Sequence, residues 1–294
     1  MPDSTIKLLV PPGYNFRAVL QSHGWRQLAP FHWDEATPDE LRYTFALHGG
    51  RVTTLVVGLT PDDDLATTSS LSLTRPDVCV VRDALRAMLA LDLDLTPFYN
   101  IIADEPRYAW VRPAGAGRLL AAPTAWEDLV KTLFTTNVSW TNTINMTRRF
   151  CDYGPQGVDG RHAFPSPADV LAHDADVLNA HVRCGYRITS LYKLAEGIVN
   201  GSVDVEGWRT SETDSAVLYK RLTGLHGFGA YAAGAVMRLW GHQDQLALDS
   251  VARAAFADRF HDGEKQPDSV IETFYAGYGA WRGLALWMDV IGPI

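Results

Sequence analysis

An α+β fold is expected, in which an N-terminal α/β domain with an antiparallel sheet precedes an all-helical domain. Three observations predict it. Apolar residues alternate in strand fashion through much of residues 1–110, whereas the spacing of three and four that marks helices dominates the second half. Between them lies Arg112-Pro113-Ala114-Gly115-Ala116-Gly117, a Pro- and Gly-rich link that places the domains at 1–112 and 113–294. At 294 residues, with 47% hydrophobic and 20% charged side chains, the chain has ample material for a soluble core.

In the first domain, Ile6–Val10 reads as a short strand ended by Pro11-Pro12-Gly13, and Phe16–Ser22 has helical spacing. Leu41–Leu47 and Arg51–Leu59 alternate and are joined by His48-Gly49-Gly50, a hairpin signal. Asp62-Asp63-Asp64 is a solvated turn, since it lacks the Gly and distal Glu of a calcium loop. The stretch Pro76–Ala90 opens with a possible strand, Val78–Val81, and continues as helix. No catalytic constellation is visible in this domain.

The second domain starts with Pro123-Thr124-Ala125-Trp126-Glu127-Asp128, where Thr124 caps a helix and Glu127 completes a capping box. Leu129, Leu133 and Phe134 form its apolar stripe. Residues 135–140 break the stripe with polar side chains, and helical spacing resumes through Ile144, Met146 and Phe150. After a turn-rich loop, further helix starts fall at Phe164–Asp169, with Pro167 in a first turn, and near Asp174. Cys184-Gly185-Tyr186-Arg187 is a tight turn before an amphipathic helix, Ile188–Val199. Gly201–Glu212 reads as a loop, Asp214–Leu222 and Ser250–Phe260 as helices. One last helix over Val270–Val290 carries an aromatic stripe of Tyr275, Tyr278, Trp281 and Trp287, a pattern usual for core.

The net charge of −8 argues against binding nucleic acid through a global basic field. The charge is uneven, however. Residues 1–110 hold nine Lys/Arg against fourteen Asp/Glu (net −5), and residues 182–260 hold nine against eight (net +1). Any contact with nucleic acid must rest on a local surface and on backbone amides. Cys79, Cys151 and Cys184 are odd in number and far apart, which fits reduced, packed thiols and neither a disulfide framework nor a zinc or iron–sulfur cluster. No apolar run reaches spanning length, and the N-terminal sequence lacks a basic flank and a cleavage site. A cytoplasmic location without a membrane partner is expected.

The chemistry concentrates in Leu225-His226-Gly227-Phe228-Gly229-Ala230-Tyr231-Ala232-Ala233 and in Asp249, eighteen positions after Tyr231. Gly227 and Gly229 permit a tight turn and close approach to the backbone. The N–H groups that open the following helix are unpaired and lie at its positive end, so they suit a phosphate. On local residues Asp249 reads first as an ordinary N-cap, since Asp is among the preferred caps, and otherwise as a carboxylate brought to that phosphate.

The segment from about Thr124 to Trp287 resembles the helix-hairpin-helix DNA glycosylase superfamily, closest to its 3-methyladenine and 8-oxoguanine branches. Four segments carry the resemblance in order. Leu129–Phe150 resembles the helix–turn–helix that fills the gap left by a flipped base. Gly185-Tyr186-Arg187 resembles the turn pressed into the duplex opposite it. Leu225–Ala233 resembles the hairpin, and Leu246-Ala247-Leu248-Asp249 the segment ending in the superfamily's aspartate. Pro12-Gly13-Tyr14-Asn15-Phe16 looks like part of the extra α/β domain of these branches.

The resemblance implies an enzyme that rotates a damaged nucleotide out of duplex DNA and breaks its N-glycosidic bond. Asn137 would fill the gap, with Tyr186 and Arg187 on the opposite side, although Asn137 could be a helix-end cap and Tyr186 a core aromatic. Leu225, Gly227, Gly229 and Ala230 would hold the DNA backbone. Asp249 would stabilise the positive charge that develops on the sugar. Bifunctional members carry a lysine where this chain has Tyr231, and tyrosine forms no Schiff base. Water is then the nucleophile and the product an abasic site. Tyr231, Trp281, Trp140 and Tyr278 would wall the base pocket. An alkylated purine is the favoured substrate; another oxidised, deaminated or mispaired base, or non-catalytic binding of DNA structures, are the alternatives. Neither the iron–sulfur cluster of endonuclease III nor a metal is expected, apart from a monovalent cation that the hairpin carbonyls of relatives can hold. Double-stranded DNA is the expected partner, the protein acting as a monomer in the bacterial cytosol and nucleoid.

Overall fold

Alternating strands pack one face inward, and here five of them make a single antiparallel sheet. In the computed structural model, which describes residues 5–60, 64–210 and 213–293, these are β1 (Ile6–Leu8), β2 (Phe31–His32), β3 (Glu40–Ala46), β4 (Val52–Leu59) and β5 (Leu65–Ser69). Their order is β1-β5-β4-β3-β2. Ala46 pairs with Val52 across the expected hairpin, whose Gly49 and Gly50 adopt φ of 75° and 73°. The strands β2 and β5 were not evident from alternation, being two residues long in one case and Thr-rich in the other. Asp62 and Asp63 lie outside the described residues.

Helix α1 (Phe16–Gln21) follows β1, and α2 (Arg75–Met88) follows the sheet. The strand expected at Val78–Val81 does not form. Thr74 and Asp77 close a reciprocal capping box at the start of α2, so those valines ride on a helix, with Val81 in the core. A short helix, α3 (Thr96–Ile101), precedes the link.

The helical part comprises α4 (Ala125–Thr135), α5 (Trp140–Cys151), α6 (Pro167–Leu171), α7 (Ala175–Val182), α8 (Arg187–Val199), α9 (Val205–Thr210), α10 (Ser215–Thr223), α11 (Ala230–Leu239), α12 (Ser250–Phe260), α13 (Asp268–Tyr275) and α14 (Arg282–Ile291). Helix α9 occupies what reads as a loop. The single last helix is broken: Gly279 at φ 53°, ψ −123° interrupts it between α13 and α14, a conformation open to glycine.

Two hydrophobic cores result, and they do not follow chain order. One gathers the sheet, α2 and α3 together with Phe256, Ile271, Tyr275 and Leu284 from α12–α14. The other gathers residues of α4–α11. The boundary near residue 112 is thus no boundary of packing. Helix α4 lies between the cores and is buried on every side from Ala125 to Phe134. Its charged residues are therefore all partnered, as burial demands. Lys131 Nζ meets Glu127 Oε1 at 2.6 Å, and the Tyr43 hydroxyl of β3 donates to Glu127 Oε2 at 2.5 Å. Asp128 accepts from the indoles of Trp25 and Trp240 at 3.0 and 3.1 Å. The expected capping box is half made: Thr124 accepts from the Glu127 N–H, but the Glu127 carboxylate is spent on Lys131 and Tyr43.

All three cysteines are unpaired; Cys151 and Cys184 are buried, whereas Cys79 is exposed and not packed as expected. No described helix is long and apolar enough to cross a membrane, and no described group of His, Cys, Asp and Glu could hold a metal ion.

Candidate active site

The hairpin between α10 and α11 needs its first glycine and exposes its second. Gly227 has φ 85°, and a Cβ there would fall 2.3 Å from Ser190 Oγ of α8. Gly229 has an ordinary φ of −86°, caps α11, and faces open space. Positive φ is therefore required at one glycine and not at both. The exposed one leaves the first N–H groups of α11 open to an anion, at the positive end of the helix. His226 Nδ1 lies 2.8 Å from Ser190 Oγ, which ties the turn to α8. Gly227→Ala should cost about 2–4 kcal/mol, from left-handed strain plus overpacking. Gly229→Ala should cost about 0.5 kcal/mol. Urea denaturation of the two variants checks the contrast.

Asp249 sits at the N-cap of α12, where its Oδ1 accepts the Ala252 N–H at 2.7 Å. Among the described residues, Oδ2 makes no hydrogen bond. The loop before it is clamped between α11 and α14. Gly234 and Gly283 let it approach, since a Cβ at either would meet Ala247 or the Gln245 carbonyl. Ala247 adopts φ 52°, an unusual conformation for a residue with a Cβ, held by this clamp. The Arg282 Nε donates to the Asp244 carbonyl at 2.5 Å.

Asp249 thereby reaches a cleft of ≈ 90 Å³ between the two cores. From α11 come Tyr231, Ala235 and Arg238, from α4 Thr132 and Thr135, and from elsewhere His23, Trp25 and Trp287. The cleft is smaller than the ~300 Å³ at which sites enclose a small molecule, so a planar ligand would enter edge-on or part the walls. The Tyr231 hydroxyl lies 3.4 Å from Thr135 Oγ1, and burial raises its pKa, so the ring is a neutral phenol. His23 is neutral as well, because burial pulls it down to about 3, while its Nε2–H donates to the Leu120 carbonyl at 2.5 Å. Burial lowers the Arg238 guanidinium to about 10, which leaves it charged at neutral pH. These walls were missed from sequence except Tyr231. Positions 231, 235 and 238 share one helical face, and that spacing could have flagged Arg238. His23 and Trp25 arrive from a distant part of the chain and leave no local signal.

The two turns named beforehand meet each other. Asn137, at φ 47°, donates from Nδ2 to the Tyr186 hydroxyl at 3.3 Å. Tyr186 is 63% exposed, so a core role is not what it has. Arg187 behaves otherwise: it is buried, and its guanidinium donates to the carbonyls of Cys184, Thr136 and Asn137. It locks one turn to the other and has no free face for DNA. That corrects its expected role as a direct contact.

Three of the four expected pocket aromatics lie away from the cleft. Tyr278 is buried in the core, donating to Glu105 Oε1 at 2.6 Å beside Tyr108 and Tyr275. Trp281 packs against Phe98 with ring centres 5.7 Å apart. Trp140 covers Gly24 and donates to Gln27 Oε1 at 2.5 Å, beside the segment that carries His23 and Trp25. The break at Gly279 interrupts the last helix, yet its aromatic stripe faces the core as the spacing suggested, with Tyr275 and Tyr278 buried and Trp281 and Trp287 packed against that core.

This architecture is shared with solved structures. MBOgg1, in complex with a low-affinity DNA ligand, matches with a TM-score of 0.74 at 17% identity, over 99% of this chain and 95% of that one. The 3-methyladenine DNA-glycosylase of Archaeoglobus fulgidus matches at 0.75 and 16%, over 97% of each chain. The 8-oxoguanine glycosylase/lyase of Clostridium acetobutylicum matches at 0.70 and 12%, over 99% of this chain and 100% of that one. No family model and no curated protein matches the sequence. The chain thus has the fold of the helix-hairpin-helix DNA glycosylases. The match runs along nearly the whole chain, its N-terminal antiparallel sheet included.

Proposed function

We propose that this protein is a monofunctional DNA glycosylase, which flips a damaged base from double-stranded DNA and hydrolyses its N-glycosidic bond. The observation that carries the reading is Asp249 beside Tyr231 in the cleft behind the hairpin. Breaking the bond leaves positive charge on the sugar. A carboxylate with one oxygen fixed by a helix cap and the other free can face that charge and orient the attacking water. The exposed N–H groups at Gly229 and Ala230 would take a phosphate, with Leu225 and Gly227 shaping the turn. Asn137 and Tyr186 would fill the space that the base vacates, Tyr186 by stacking.

The side chains at the cleft support a reading without strand cleavage. Tyr231 is a phenol and cannot form an imine. Lys131 shares α4 with Thr132 and Thr135, yet its ammonium is buried against Glu127 and does not line the cleft. The proposal includes a cytoplasmic monomer without an iron–sulfur cluster or other cofactor, in which the hairpin carbonyls could hold a monovalent cation.

The expected alkylated purine calls for aromatic walls around a cationic base. Of the four aromatics named for that task, only Tyr231 lines the cleft. The test is a panel of duplexes with methylated, deaminated, oxidised or mispaired bases. Free base should appear from at least one of them, and none from any would contradict the enzyme reading.

A further inference from the structure

Arg238 is the polar group of the cleft for which the hydrolytic reading has no use. It is 6% exposed, and its Nη1 has no hydrogen-bond partner among the described residues. A buried guanidinium N–H without a hydrogen-bond partner is costly, and such groups are rare unless something else satisfies them. Beside it, Thr132 is fully buried with its Oγ1 also unpartnered. Both residues line the cleft that holds Asp249. Arg238 and Asp249 form no ion pair with each other, so the carboxylate does not consume the guanidinium.

The lining groups suit a planar ligand that enters edge-on or parts the walls. The Arg238 guanidinium carbon lies 4.7 Å from the centre of the Trp287 ring, and Trp287 is itself held by its indole N–H on the Ser22 carbonyl at 2.9 Å. His23 donates from Nε2 to the Leu120 carbonyl, which leaves Nδ1 as a lone-pair acceptor. The cleft therefore offers a donor-only fork, a hydroxyl and an imidazole acceptor. A guanidinium fork matches adjacent acceptors on a base edge, as with the carbonyl and ring nitrogen of a purine. The same charge repels a base that is already positive.

We propose that Arg238 sets specificity: it admits a neutral base presenting a carbonyl oxygen or ring nitrogen to its free N–H groups, and disfavours cationic alkylpurines. This rests on the reading of the cleft as a base pocket, and it turns the substrate from alkylated purines toward deaminated or oxidised bases.

The experiment compares wild type, Arg238→Met and Arg238→Lys in single-turnover base release. The duplexes carry uracil, hypoxanthine or 8-oxoguanine as neutral keto bases and 7-methylguanine as the cationic one, each rate divided by its spontaneous rate. Wild type should favour at least one keto base over 7-methylguanine by about tenfold or more. Arg238→Met should slow release of that base by about 10–100-fold, without slowing 7-methylguanine. Its melting temperature should change little, because methionine keeps the contact with Trp287 and removes a buried N–H that lacks a hydrogen bond. Arg238→Lys keeps the charge and loses the fork, so it should slow the keto base while still disfavouring 7-methylguanine. A wild-type preference for 7-methylguanine would overturn the proposal. Equal slowing of both classes by Arg238→Met would also overturn it, and would make Arg238 a general electrostatic support of Asp249. Both results leave the glycosylase reading standing. No release from any duplex would overturn that reading itself, and this one with it.

Discussion

Asp249→Asn is expected to slow base release by about 10²–10⁴-fold while changing stability by no more than about 0.5 kcal/mol. The two effects separate because Asp249 has two tasks. Its Oδ1 accepts the Ala252 N–H at the start of α12, and an asparagine carbonyl can do the same. The charge that faces the cleft is lost. Asp249→Ala removes the cap as well, so it should add about 1 kcal/mol of destabilisation to the same loss of activity. Single-turnover base release and urea denaturation on one preparation measure both. An Asn variant that is fully active would remove Asp249 from the mechanism; one that is inactive and unfolded would leave it only a structural role.

The largest expected loss of stability is at Lys131. Its ammonium lies on α4 between the sheet and the helices, 2.6 Å from Glu127 and 4.3 Å from the centre of the Phe31 ring. Lys131→Met strands Glu127 in the interior and should cost about 3–5 kcal/mol. Burial already raises the Glu127 pKa, with Lys131 opposing the rise, so the single variant should take up a proton there. Lys131→Met with Glu127→Gln should cost less than Lys131→Met alone, because no uncompensated charge is left and the Tyr43 hydroxyl keeps an acceptor. A loss below about 1 kcal/mol in the single variant would mean that the pair does not hold the two cores together. The double-mutant cycle measures the coupling directly.

Much of the architecture was legible in the sequence because its causes are local. The hairpin at Gly49-Gly50, the cap at Thr124, the turn at Gly227 and the N-cap at Asp249 each depend on a few adjacent residues. Failures came where distant packing decided. The valines of α2 favour a strand, yet a closed capping box and a buried Val81 made them helical. Glu127 matched a capping box, but its carboxylate found Lys131 four residues on and Tyr43 from another element.

The site divides in the same way. Tyr231 and Asp249 could be placed from the motif, and both line the cleft. Arg187, Tyr278 and Trp281 could not, since their orientation depends on which carbonyls or rings fold against them. Arg238 lay within reach of helical periodicity but carries no motif. Thr132 shows as unpartnered only after the rest of the chain closes around it.

The most direct measurement follows the DNA strand itself. A duplex carrying the base that the protein excises is incubated with it, and half of the reaction is heated in alkali before denaturing electrophoresis. The strand should stay whole without alkali and break at the damaged position with it, because hydrolysis leaves an abasic site. Cleavage without alkali, together with an adduct trapped by borohydride, would mean that a lysine attacks the sugar, and would contradict the assignment of water as the nucleophile beside Asp249 and Tyr231.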